Sequence, residues 1–127
     1  MSINPLGIIA ALTTFLAVWF GHVAVRKIEF ISPTIWLPTT IFAATGLIIE
    51  WLSLSTVNRP LSAFWGILGV TILWDAIEFT RQQKRVKRGH ASANSHNPRH
   101  AKILAEYSAA TTIDLLKHAP STINHSL

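Results

Sequence analysis

Two acids in an apolar run are the first residues whose types could do chemistry. Asp75 and Glu78 close the stretch "LSAFWGILGVTILWDAIEF", and His22 and Lys27 stand at the end of another apolar stretch, "PLGIIAALTTFLAVWFGHVAV" with "RK" after it. A histidine near carboxylates is the usual equipment for moving a proton close to neutral pH. Ionisable groups within a membrane segment mark either ion paths or buried pairs. On a helix of 3.6 residues per turn, Thr71, Asp75, Glu78, Gln82 and Arg85 lie within about 80° of one another, so both acids share one polar stripe. Two readings follow. In one, the stripe is a proton or ion relay. In the other, it is a locking cluster in which the acids pair with His22 and Lys27, or with Arg81 or Arg85 further along their own helix. The acids lie within about two turns of the polar end of the run. Within the apolar runs only Glu50 remains as a station on the far side. We therefore expect an inner-side locking cluster of His22, Lys27, Asp75, Glu78, Gln82 and Arg85.

His90, His96 and His100 form a second group of possible ligands. The loop that holds them has neither Cys nor acid and many basic neighbours, so the sequence predicts no zinc site there. There is no cysteine anywhere, no Gly-rich phosphate loop, no nucleophile elbow and no metalloprotease helix. The expectation is no enzyme, no metal and no cofactor.

The elements that must position these residues are helical. Half of the 127 residues are hydrophobic and 13% are charged, about half the charged share of an ordinary soluble domain. Three runs, about 5-25, 34-55 and 61-80, have the roughly 20 residues needed to cross a hydrocarbon core of about 30 Å. In lipid the backbone must satisfy itself, so these runs are helices. The predicted fold is an all-α integral membrane protein. Its domain 1-90 comprises three transmembrane helices and a basic helical extension, 81-90. Residues 91-127 form a polar loop and a short amphipathic tail. Gly66 and Gly69 give the third span a face where another helix can pack closely.

Charge sets the direction. Eight of the 11 Lys and Arg residues lie from Arg81 onward, and Arg26 and Lys27 would share their side of the membrane, against Arg59 alone on the other. The positive-inside rule then predicts the N-terminus outside and the C-terminus in the cytoplasm. Trp19, Trp36 and Trp74 fall towards the inner ends of the spans, and Trp51 and Trp65 towards the outer ends, as in an interfacial belt. Arg81, Lys84, Arg85, Lys87 and Arg88 read as contacts to anionic lipid headgroups, at about 1 kcal/mol each. Without aromatic interleaving or a binding motif, no nucleic-acid partner is expected.

Gly89 is placed to end the extension. Asn97 followed by Pro98 predicts an N-cap and a helix through about Ala109. Thr111 and Asp114 form a weak capping pattern before "LLKH". Ile103, Leu104, Tyr107 and Leu115 supply an apolar face that would lie on the membrane or a partner. The closing "PSTINHSL" has the composition of a disordered end.

The run from Leu61 to Arg99 resembles a family of small bacterial membrane proteins, domain of unknown function 4491. The matching positions are Gly66, Gly69, Trp74, Glu78, Gln82, Arg85, Val86, Gly89 and "NPR" at Asn97 to Arg99. Gly21, His22, Val25, Lys27, Glu29 and Trp36 are similar in the first half. Val23 stands where the family has proline, and His90 where it has an aromatic. The resemblance extends over about residues 1 to 100 and implies a three-helix bacterial membrane protein with no established activity; the expected location is the bacterial inner membrane. Together these readings favour an accessory or assembly subunit packed against a larger membrane complex of respiratory or photosynthetic type. The alternative is an oligomeric transporter or channel protomer with an inner-side His/carboxylate site. Expected partners are the bilayer, anionic headgroups, and other membrane subunits or further copies of the chain.

Overall fold

The computed structural model describes residues 3–113. It contains α1 (Pro5–Ile31), α2 (Trp36–Ser55), α3 (Arg59–Lys87) and α4 (Pro98–Glu106). Three of the four starts share one local device. Asn4, Asn58 and Asn97 each accept a backbone N–H from the first turn through their side chains, at 3.0, 3.1 and 3.0 Å, with proline in the first two helical positions. Asparagine satisfies an orphan donor at these ends, and proline occupies a place where its missing N–H costs nothing.

The first three helices are long and apolar enough to cross a membrane. At 1.5 Å per residue the 27 residues of α1 and the 29 of α3 extend about 40 and 43 Å. Both therefore exceed a hydrocarbon core of about 30 Å. The sequence reading ended the first span at residue 25 because Arg26, Lys27 and Glu29 follow it. The helix instead continues to Ile31, carrying those charges past the apolar section. Likewise the third span and the basic extension are one uninterrupted helix.

The bundle is built around α3. Both α1 and α2 pack along it and barely meet each other. Against α2, a Cβ on Gly69 would lie 2.5 Å from Glu50 Oε1 and one on Gly66 would lie 3.0 Å from Ser53 Oγ, so both glycines are occupied by close approach of α2. The hydroxyls of Ser53 and Ser62 donate to each other's backbone carbonyls at 2.8 Å, fastening the same seam. The burial pattern is inverted relative to a soluble bundle. Phe15, Leu47, Ile48, Trp51, Leu54 and Val70 are exposed, whereas Thr13, Glu29, Asp75, Glu78, Gln82, Asn97 and His100 are buried. Such a continuous apolar exterior is the surface a lipid solvent selects.

At one end the surplus lengths of α1 and α3 carry a small head. Val86, Ala93 and Ile103 form its apolar centre, with Ala91, Leu104 and Ala110 against them. Gly89, at φ +76°, turns the chain after α3, a conformation that suits glycine. The segment after α4 returns beside this turn, with the carbonyl of Ala109 packed on Gly89 and Ala93 N–H donating to Thr111 O at 2.8 Å.

Two expectations for the tail need correction. Helix α4 stops at Glu106 rather than about Ala109, because the chain turns back at Tyr107 to reach Gly89. Its apolar face packs on Val86 and Ala93 within the head, which leaves Ile103 buried and unavailable to a membrane surface. Leu115, the second capping residue Asp114 and the closing "PSTINHSL" lie outside the described residues.

Candidate functional site: polar clusters at the head of the bundle

Helical phase decides which α1 side chains can reach α3. Gly21, Val25 and Glu29 recur every fourth residue and are buried, so this stripe of α1 faces α3. His22 and Lys27 are rotated about 100° and 240° from Gly21 at 100° per residue, and both are exposed. Among the described residues, no ion pair within 4 Å joins either of them to Asp75 or Glu78. The expected cross-helix pairing is therefore not formed. Equal depth is not enough for contact, because the phase of α1 turns both side chains off the buried stripe.

The pairing expected along α3 itself is formed for Glu78. Glu78 is held on its own helix by Arg81 Nη1 at 3.2 Å and Arg85 Nη2 at 3.4 Å, and Arg85 Nη1 also donates to Gln82 Oε1 at 2.8 Å. Both arginines are about half exposed while the Glu78 side chain is buried, so the ion pair sits where apolar section gives way to head. Arg81 also lies over the Trp74 ring, 4.9 Å from its centroid. Asp75 packs its carboxylate directly on Gly21, where a Cβ would lie 2.5 Å from Oδ2. Glu50 turns its carboxylate into the α2–α3 seam, and its Oε1 is buried without a hydrogen-bond partner.

The most densely connected polar group was not foreseen from the sequence. Glu29, only 1% exposed, meets Arg99 and His100 from α4, 70 residues later. Arg99 Nη1 donates to Glu29 Oε2 at 2.7 Å and to Gln83 Oε1 at 2.6 Å. Its Nη2 donates to the Glu29 carbonyl at 2.5 Å, and both Nη2 and Nε reach Ser32 O, at 3.2 and 3.3 Å. Asn97 Nδ2 donates to Phe30 O and Ser32 O at 3.0 and 2.9 Å, and Asn94 Nδ2 to Phe30 O at 3.1 Å.

These contacts answer a need created by α1 itself. The last carbonyls of a helix have no partner within it, and the last turn of α1 contains no basic residue. The tail supplies both the donors and, through Arg99, the cation that the negative end of the helix dipole favours. His100 completes the group. Asn94 N–H donates to its Nδ1 at 2.8 Å, which places the ring proton on Nε2, and Nε2 donates to Glu29 Oε2 at 2.8 Å. The ring is thus a neutral connector between loop and helix, fully buried, with the Phe30 ring edge-on at 6.0 Å. His100 is thereby committed to Glu29, while His90 and His96 remain exposed. Among the described residues, no three His, Asp or Glu side chains converge as a metal site requires. One signal could have found this clasp: Glu29 is in phase with Gly21 and Val25, and Lys27 is not.

The basic row divides by contact. Arg81 and Arg85 hold Glu78, Lys87 lies over the Tyr107 ring at 5.1 Å, and Lys84 and Arg88 are exposed.

Residues 4–97 match the family model "Domain of unknown function (DUF4491)". The chain belongs to this family. No curated protein and no solved structure matches it. In this DUF4491 protein the matched region includes α1 to α3, the loop and Asn97, whereas Arg99 and His100 lie just past it. The clasp thus joins Glu29, inside the family region, to residues that follow its end.

Proposed function

We propose that this DUF4491 protein is a small accessory or assembly subunit that packs against a larger membrane complex of respiratory or photosynthetic type. The observation carrying this reading is the packing plan. With α1 and α2 both leaning on α3 and scarcely on each other, most of each helix remains an apolar surface for a neighbour. Small three-helix units with so little mutual burial gain stability by joining a larger helical assembly. The polar side chains at the head support the same reading, since Glu29, Glu78, Arg99 and His100 are engaged in fastening the chain to itself. In this proposal the chain resides in the bacterial cytoplasmic membrane with its N-terminus outside. The head lies in the cytoplasm, where Lys84 and Arg88 meet anionic headgroups. The test is native mass analysis of particles excised with their surrounding lipid from the membranes that produce the protein. A stoichiometric complex with a second membrane protein is the expected result, and a lone 14.1 kDa chain would refute it.

A second reading, an oligomeric transporter or channel protomer, rests on Asp75 and Glu50. Both are carboxylates within the spanning helices that form no ion pair within 4 Å among the described residues. Proton flux through vesicles containing the purified chain, lost in Asp75→Asn, is the result that would favour it.

A further inference from the structure

A groove of about 440 Å³ runs between α1 and α3, with Phe42 of α2 contributing to its wall. Leu16, Phe20, Phe64, Leu68 and Ile72 are among its apolar lining residues, and Asp75 lines it towards the head. Asp75 is the one charged side chain that lines it, and only 7% of the residue is exposed. Among the described residues nothing hydrogen-bonds to its carboxylate and no cation lies within 4 Å of it. On the α3 side Glu78 is satisfied by its own arginines, and on the α1 side His22, the neighbour of Gly21, and Lys27 are exposed and make no ion pair with Asp75 within 4 Å.

An apolar trough with an unpaired acid at one end has a definite complement. A buried carboxylate without a counter-ion is costly in low dielectric, and a positive charge brought to it removes that cost. Phe20, Phe42 and Phe64 present aromatic rings along the route, surfaces that attract a desolvated cation as well as an apolar body. The lining spans Leu12 to Ala24 on α1, about 18 Å at helical rise. A volume of about 440 Å³ falls within the range of small-molecule sites, about 300–1,000 Å³.

We propose that the groove between α1 and α3 binds a lipophilic cation, with Asp75 as its counter-ion and Phe20, Phe42 and Phe64 as its aromatic walls.

Tetraphenylphosphonium and tetraphenylborate, ions of nearly the same shape and opposite charge, provide the test. Equilibrium binding of each is measured to the full chain in lipid nanodiscs, with empty nanodiscs as the background. The expected result is saturable binding of the cation at one site per chain and none of the anion. Asp75→Asn should weaken cation binding at least tenfold. Because that variant alters a packed residue, Leu16→Trp is the companion. It narrows the groove with Asp75 intact, and should also weaken the cation at least tenfold without lowering the melting temperature. The proposal is overturned if the wild type shows no saturable cation binding or if the anion binds equally well. It is also overturned if both variants, or Leu16→Trp alone where Asp75→Asn does not fold, bind within twofold of wild type.

Discussion

Replacing Arg99 by Met isolates what the clasp contributes, because the side chain keeps its approximate length and loses every donor. In the native chain the guanidinium serves Glu29 Oε2, Gln83 Oε1, the Glu29 carbonyl and Ser32 O. Without it, a carboxylate on a residue 1% exposed retains only the His100 Nε2 donor. Removing one partner of a buried pair costs about 3–5 kcal/mol, since the other charge stays behind uncompensated. The loss falls on docking of the head, because α1 to α3 keep their own packing. At 1.4 kcal/mol per tenfold, the head should open between about 10²-fold and about 4 × 10³-fold more often. Hydrogen exchange of the protein in nanodiscs reads this directly. Amides of α4 and of Ala93 should exchange faster by that factor, while amides in the apolar sections of α1, α2 and α3 should not change. Glu29→Gln should be milder, at about 1–3 kcal/mol, because Arg99 keeps its carbonyl and Gln83 acceptors. In the double variant the two losses should fail to add. Exchange of α4 within threefold of wild type in Arg99→Met would show that the clasp does not hold the head down.

Gly89→Ala should destabilise the head by about 1–2 kcal/mol from the left-handed backbone alone, and more because the new Cβ meets Ala109 O. A lower melting temperature together with faster α4 exchange is the expected signature. Glu50→Met should leave the melting temperature of the solubilised protein unchanged or raise it, since a buried oxygen without a partner is a cost; a clear drop would mean that this carboxylate is bonded. Changing Lys84 and Arg88 to Gln should reduce retention of anionic lipid in native mass spectra, at about 1 kcal/mol per residue; equal retention would remove these side chains from the lipid interface. Single cysteines at Ile3 and Ile113 in this cysteine-free chain test the proposed direction. Only the first should react with an impermeant thiol reagent in intact cells, and the reverse pattern inverts the orientation.

The helices were legible for a simple reason: a run of about 20 apolar residues has few alternatives. The Asn-Pro start of α4 and the turn at Gly89 were also visible, because caps and left-handed turns depend on local chemistry. The ends of the spans were less so. Arg26, Lys27 and Glu29 look like a loop, but a helix that projects beyond its apolar section carries charges as readily as a loop does. The clasp is not legible in the sequence because its partners lie 64 to 71 residues apart and meet through polar side chains and backbone carbonyls. Hydrophobic periodicity ranks core residues and is silent about which polar group a distant tail will meet. Depth alone does not decide what His22 and Lys27 touch; rotation about the helix axis does, and the phase of Gly21, Val25 and Glu29 fixes it.

Capping of the first helix by the tail also orders events during synthesis. The carbonyls of Glu29, Phe30 and Ser32 are made early, yet their donors on Asn97 and Arg99 follow 65 to 70 residues later. At about 5–20 residues per second a ribosome needs several seconds to deliver them. Throughout that interval the end of α1 must be solvated by water or lipid headgroups, with Glu29 uncompensated. A chain released before Arg99 has all three apolar helices but cannot close this end. Synthesis past Arg99 is therefore recorded as a physical difference at the end of the first helix, which presents open carbonyls in any chain cut short before that residue.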